Sequence, residues 1–224
     1  MKNPNGTVVI TGVNSGIGLA LTQKFLDENF HVIGTTKSGK LDKLTHENLE
    51  IVALELSDKE SIDIANEEIS KLSGEIKIVI NNAGIAPDVA QIVPDITSFN
   101  QTISTNLSGT VFFTEEIIKL IVPGGKLIFM TSDMGLPRKA DANGPSYRIS
   151  KAGINMYAAI LAKRLEEQNV SVTPMHPGWV KTKLGGDQAP LTAEQAAENL
   201  YKGIMQNKQS GKFWNTTIPG LEDF

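Results

Sequence analysis

The chain contains no cysteine, which excludes disulfides and thiolate-based metal sites. Its histidines, His31, His46 and His176, are scattered, and none stands in an HExxH-like pair, so metal-assisted chemistry has no support in the sequence. There is no run of five or six basic residues; Lys and Arg total 21 against 25 Asp and Glu. A nucleic-acid backbone finds no continuous positive track here, and nucleic acid is not an expected partner. No apolar run approaches the roughly 18 residues that a membrane span requires. The opening MKNPNGTVVITG also lacks a charged head followed by a cleavable apolar stretch. These absences lead to the expectation of a soluble, cytoplasmic protein without a membrane partner.

What the chain does have is 224 residues, of which 40% are hydrophobic. That suits one core, and a single domain over 1–224 is expected. Short apolar runs alternate with longer segments of helical periodicity. Strands are expected at Thr7–Ile10, His31–Thr36, Leu49–Leu54, Ile76–Ile80, Lys126–Thr131 and Val170–Met175, with a weaker one near Phe213. Helices are expected over Ile17–Asn29, from Ser57-Asp58-Lys59-Glu60 with its acidic first turn, over about 97–121, over about 145–168, and from about Thr192. The strands read as nearly continuous apolar runs, as parallel strands covered on both faces do. The fold class is therefore α/β, a doubly wound parallel sheet of about seven strands of the Rossmann type, with ligands beyond the carboxyl ends of its strands.

Thr11-Gly12-Val13-Asn14-Ser15-Gly16-Ile17-Gly18 joins the first strand to the first helix. Glycines there permit a tight turn and let backbone N–H groups approach a pyrophosphate at the helix N-terminus. A merely flexible turn is the plainer alternative, and the position between strand and helix favours the nucleotide. The second strand ends Thr35-Thr36-Lys37-Ser38, with no carboxylate before Asp42 to grip a ribose 2′-hydroxyl. Lys37 supplies positive charge, and Thr36 and Ser38 supply hydroxyl donors, for a 2′-phosphate. NADP(H) is thus favoured and NAD(H) allowed; a solvated loop lysine is the alternative for Lys37.

Tyr147 and Lys151 stand four apart in a helix that opens at Pro145, and so share one face. Bringing a phenol from its usual pKa of about 10 toward neutrality takes about 4 kcal/mol of phenolate stabilisation. A lysine ammonium beside it, with an oxidised nicotinamide, is a source of that stabilisation. By itself a YxxxK pattern is common on exposed helices. It gains meaning from Ser132, which follows a predicted strand. Asn106 is a poor helix-interior residue; a distorted helix holding a water for proton relay would account for it, and a merely tolerated polar residue is the plainer alternative.

With TGxxxGIG at 11–18, Asn81-Asn82-Ala83-Gly84 after the fourth strand, Ser132 upstream of Tyr147-Arg148-Ile149-Ser150-Lys151, and Pro177-Gly178-Trp179-Val180-Lys181-Thr182 after the sixth strand, the chain resembles the short-chain dehydrogenase/reductase family. The resemblance runs over about 7–182 in the family's order. It implies that Gly12, Asn14, Ser15, Gly16, Ile17 and Gly18 form the cofactor turn, although NADP-preferring relatives often carry a basic residue where Ser15 stands. It implies an adenine contact at Glu55-Leu56, where the family more often has Asp. Asn82, Ala83 and Gly84 would pass the cofactor ribose, with Asn81 and Asn82 tying neighbouring strands together. Pro177, Gly178, Val180 and Thr182 would contact the nicotinamide and its carboxamide.

The same resemblance assigns a catalytic set of Asn106, Ser132, Tyr147 and Lys151. Ser132 would hold the substrate oxygen, Tyr147 would exchange its proton, and Lys151 would also bind the nicotinamide ribose. His176 receives no catalytic role. The closing stretch resembles small carbonyl reductases and C-factor-like proteins, which implies a small carbonyl or alcohol substrate. The short loop at about 183–192 implies an open pocket, with Met134, Trp179 and Leu184 as its wall or, as is the commoner fate of apolar side chains, as core residues. Pairing through the helices at 97–121 and 145–168 into a homodimer or homotetramer is the family's habit. A nucleotide-binding regulatory or signalling protein with little turnover is the alternative function. A phosphate-cleaving P-loop protein is disfavoured by the missing Gly-Lys-Ser/Thr.

Overall fold

The structure is a computed structural model and describes residues 5–218 and 220–222. Seven parallel strands, β1 (Thr7–Thr11), β2 (His31–Thr36), β3 (Leu49–Ala53), β4 (Ile76–Asn81), β5 (Ile121–Met130), β6 (Ser171–His176) and β7 (Phe213–Asn215), make one sheet. An eighth, β8 (Gly220–Glu222), pairs antiparallel with β7. The order is β3-β2-β1-β4-β5-β6-β7-β8. The chain reverses its direction of winding between β1 and β4, so the crevice above these two strands is the place for a ligand.

Strand residues alternate between two cores. Val9, Ile33, Val79, Leu127 and Val172 point to one face, beneath helices α2 (Lys59–Leu72), α4 (Thr110–Ile117) and α5 (Pro145–Arg164). Val8, Ile10, Val32, Ile80 and Ile128 point to the other, where Leu21 and Phe25 of α1 (Gly16–Asp27) meet Leu200 and Ile204 of α6 (Ala193–Gln206). Each buried aliphatic side chain contributes about 1.5–3 kcal/mol, and both faces are covered, which explains why the strands read as continuous apolar runs.

Local chemistry accounts for several helix starts. Asp58 caps α2 by accepting from the Glu60 N–H at 3.0 Å. Thr192 and Gln195 form a reciprocal capping box at α6. The helix expected at 97–121 is not uniform: α3 (Ile96–Thr102) passes into a π-helical stretch, Ile103–Gly109, before α4 resumes and a 3₁₀ turn ends at Leu120. The strand expected from Lys126 begins at Ile121, because a register irregularity opposite Ile76/Ile78 lets Ile121 pair with Ile76 before the ladder resumes at Lys126. The helix expected to reach about 168 stops at Arg164, where the chain turns through Asn169 at φ 55°. No helix among the described residues is long and apolar enough to cross a membrane.

Candidate active site

The turn after β1 is built against the loop after β4. Thr11 Oγ1 accepts from the N–H groups of Asn82 and Ala83, each at 3.0 Å. The Asn82 amide donates to the carbonyls of Thr11 and Gly12 at 2.8 and 3.1 Å. Asn82 thus ties β1 to β4 as the sequence suggests. Asn81 does not tie strands: its amide is spent on Thr114 Oγ1 of α4 at 3.1 Å, because its side chain points to the helical layer. Gly12 has φ +74°, and a Cβ there would lie 3.0 Å from the Ala83 Cα, so the two loops touch only because that position is glycine. A Cβ on Gly18 would collide with the Gly12 carbonyl oxygen.

Asn14 and Ser15 are exposed at the tip of the turn, with Gly16 and Ile17 half-buried behind them. Ser15 is the N-cap of α1, yet its side chain makes no capping bond, and the first turn carries no acidic residue. The positive end of α1 is therefore open to an external anion. A cradle closed to any added Cβ, next to an uncapped helix start, fits the pyrophosphate of a dinucleotide.

At the far end of that crevice the second-strand residues do not act separately. Lys37 Nζ and Glu55 Oε2 are 2.5 Å apart, with the lysine side chain 71% exposed. Burial raises the Glu55 pKa, but the bond from Lys37, together with the Ser57 N–H and hydroxyl, outweighs it, and the carboxyl sits below its ordinary value. Thr36 is buried, and its hydroxyl is committed to the Lys40 backbone, donating to the carbonyl and accepting from the N–H, both at 3.1 Å. The expected phosphate-donor role of Thr36 therefore competes with a local turn, whereas Ser38 is exposed. Leu56 is buried. Gly34, which sequence reasoning passed over, is required in β2 because a Cβ would lie 2.7 Å from the Val13 side chain.

The catalytic candidates converge. Ser132 follows β5, and Tyr147 and Lys151 rise from α5 on one face; all are at most 7% exposed. The Ser132 hydroxyl lies near enough to the Tyr147 phenol to lower its pKa, while its Oγ accepts from the Met134 N–H at 3.2 Å and donates to Asp133 Oδ1 at 3.3 Å. Lys151 Nζ lies 5.4 Å from the Tyr147 ring centre and donates to the Met130 carbonyl at 2.8 Å. Asn106 lies within the π-helical stretch, so the distorted helix expected from it is there. Its amide is spent on protein rather than left for a water: it accepts from Ile85 N–H at 2.8 Å and donates to Ile85 carbonyl at 2.7 Å and to Ser150 Oγ at 3.2 Å. Gly84 brings the groups together, since a Cβ on it would lie 3.3 Å from Asn106 Oδ1 and 3.6 Å from Lys151 Nζ.

Burial dominates the electrostatics. It pushes the Tyr147 phenol up to about 12, with the Ser132 hydroxyl lowering it and the negative charge of Asp133 raising it. Burial likewise pulls the Lys151 ammonium down to about 8. The sequence anticipates a phenol shifted toward neutrality. The protein groups alone shift it the other way, because desolvating a phenolate costs more than one serine hydroxyl returns.

Two supports of this set were missed in the sequence. Asn155, four residues beyond Lys151 on the same face, is buried; its Oδ1 accepts from Thr131 Oγ1 at 2.7 Å and its amide donates to the Gly135 carbonyl at 3.4 Å. It fastens the Ser132 turn to α5, and the repeat 147/151/155 was a signal for it. Asp88, fully buried, accepts from the Ser146 N–H at 3.0 Å at the start of α5. Nothing local in the sequence announces that pairing.

A cleft of about 360 Å³ opens over these residues, within the range of small-molecule sites. Ile17, Asn82, Gly84, Ser132, Tyr147, Lys151, Pro177, Gly178, Val180 and Thr182 line it, as do Met134, Trp179 and Leu184. Val180 is buried and bridges to Leu191. Thr182 Oγ1 accepts from Gly185 N–H at 3.0 Å, which folds the short loop back on itself. His176 Nδ1 accepts the Asp133 N–H at 3.4 Å at the end of β6.

A parallel sheet with a glycine cradle at its switch point and a buried Ser-Tyr-Lys cluster beside it defines a dinucleotide-dependent oxidoreductase. The sequence pattern of the short chain dehydrogenase family matches residues 6–192, and the chain belongs to that family. It is an NAD(P)-dependent oxidoreductase of the short-chain class. Carbonyl reductase Sniffer of D. melanogaster superposes with a TM-score of 0.89 at 25% identity, covering 98% of this chain and 99% of that one. The NADPH-bound carbonyl reductase from chicken fatty liver superposes with a TM-score of 0.88 at 25% identity, covering 97% and 94%. Among sequences, the short-chain dehydrogenase/reductase eupG of Phoma sp is 27% identical over 98% of this chain and 92% of its own length.

Proposed function

We propose that the protein transfers a hydride between NADP(H) and a small carbonyl/alcohol pair, with Tyr147 exchanging the proton at the substrate oxygen. The observation that carries this reading is the convergence of the buried Ser132, Tyr147 and Lys151 on one cleft, with the Ser132 hydroxyl near enough to lower the Tyr147 pKa. A carbonyl oxygen placed there accepts from both. Ser132 polarises it and Tyr147 supplies the proton, which a phenol held up at about 12 retains at neutral pH. The bound dinucleotide supplies the hydride. Lys151, pulled down to about 8, is still mostly an ammonium at pH 7, and its charge is aimed under the Tyr147 ring. Asn106 holds the Ile85 segment beside it.

The preference for NADP(H) over NAD(H) rests on Lys37 and on the lack of a carboxylate at the end of β2. The carbonyl reductase from chicken, a structural neighbour, is an NADPH-bound protein. Pairing with a second copy is proposed through α4 and α5, which expose Phe112, Ile149, Met156 and Ile160.

The decisive experiment is a ketone and aldehyde panel followed by NADPH and NADH absorbance, with Tyr147→Phe as control. Turnover that falls by at least a thousandfold in the variant, with NADPH binding retained, is expected. Near-normal turnover of Tyr147→Phe would overturn the assignment.

A further inference from the structure

Asp133 puts a carboxylate at the substrate end of the cleft, immediately beside the hydroxyl that is to hold the substrate oxygen. Its Oδ1 lies 3.3 Å from Ser132 Oγ and 3.8 Å from His176 Nε2, and Asp133, Ser132 and His176 all line the cleft. The side chain keeps 37% of its surface exposed, and no Lys or Arg among the described residues forms an ion pair with it. Because His176 Nδ1 accepts the Asp133 N–H, the proton of a neutral imidazole lies on Nε2, facing the carboxylate. Among the described residues, the one lysine lining the cleft, Lys151, is buried and donates to the Met130 carbonyl.

The remaining wall is aromatic and apolar. The Trp179 indole is 56% exposed, and its Nε1 donates to the Gly185 carbonyl at 2.7 Å, which fixes the ring at the mouth of the cleft. An indole face and a carboxylate together favour a cation, the one through its ring quadrupole and the other through its charge. An anion meets a like charge there, and the lining lysine among the described residues, Lys151, is turned to the Met130 carbonyl.

We infer that the cleft selects carbonyl substrates bearing a positively charged nitrogen near the carbonyl, with Asp133 as the specificity-determining carboxylate; this rests on the carbonyl-reducing function proposed above. A substrate oxygen on Ser132 sets a substituent one or two atoms from the carbonyl carbon within several ångströms of the Asp133 oxygens. At that range a partly solvated charge pair changes kcat/KM by about tenfold.

The test uses three phenyl ketones: phenacyltrimethylammonium, its neutral isostere 3,3-dimethyl-1-phenylbutan-1-one, and the anionic 3-benzoylpropionate. The permanent ammonium charge removes any effect of substrate titration. For the wild-type protein with NADPH, kcat/KM is expected to run cation, then neutral ketone, then anion, with about tenfold between the first two. In Asp133→Asn the cation-to-neutral ratio is expected to fall about tenfold, and in wild type it is expected to shrink as salt is raised. A cation-to-neutral ratio at or below one in wild type, or one unchanged by Asp133→Asn, overturns the inference while leaving the proposed function intact. Failure of all three ketones, together with the broader panel, overturns the proposed function and this inference together.

Discussion

Lys37 and Glu55 form one unit across the ends of β2 and β3, the lysine proposed to meet a 2′-phosphate being paired with the glutamate proposed to contact the adenine. A carboxylate that shares the lysine also repels a phosphate, so the pair tempers the NADP preference that Lys37 alone would give. Lys37→Ala is expected to weaken NADPH binding about tenfold and NADH binding less than twofold. Glu55→Gln is expected to tighten NADPH. Fluorescence titration of both cofactors against the variants measures this; equal losses for the two cofactors with Lys37→Ala would contradict it.

Lys151 carries a stability cost that depends on pH. Its pKa in the fold is about 8, below the ordinary 10.5, so between these values the unfolded chain binds more protons than the folded one. Stability from this group therefore rises with pH across that window, and the cost of burying the ammonium is greatest below pH 8. Lys151→Met is expected to be more stable than wild type at pH 7 by up to about 3 kcal/mol, with the difference shrinking toward pH 10.5. Denaturant melts of both proteins at several pH values read this directly.

Asn106→Ala removes the partner of both the N–H and the carbonyl of Ile85. Orphaning such groups costs about 1–3 kcal/mol each when they are kept from water. A loss of about 2 kcal/mol in stability and at least tenfold in kcat is expected. Asn106→Asp is expected to be no better, since a carboxylate cannot donate to the Ile85 carbonyl. Thermal melting beside steady-state kinetics separates the two effects.

On α5 the exposed Ile149, Met156 and Ile160 recur at helical spacing, and Phe112 of α4 is exposed with them. Met156→Glu is expected to shift the protein to monomer by sedimentation. A monomeric wild type would remove the basis for pairing through this face.

The strands, the glycine turn and the Tyr147/Lys151 face were legible in the sequence because each depends on local spacing, with a period of two or of 3.6 residues or on glycine punctuation. The interruption of the long helix was legible from Asn106, although its hydrogen bonds to Ile85 were not. What escaped was contact between residues remote along the chain. Asp88 meets Ser146 across 58 positions, Asn155 meets Thr131 across 24, and Lys37 meets Glu55 only because β2 and β3 end side by side. The short β8 lies at the sheet edge and pairs over just three residues with β7, too few for a periodic signal.

The π-helical stretch over Ile103–Gly109 also bears on how this chain can change length. A π turn accommodates an added residue within an α-helical frame, so removing one residue between 103 and 109 would leave a smoother helix, with better local hydrogen bonding. It would leave the flanking helical turns in register but remove the bulge that presents Asn106 to Ile85 and Ser150. A one-residue deletion here is therefore expected to separate foldability from turnover: the shortened chain would be the easier helix to form and the poorer enzyme.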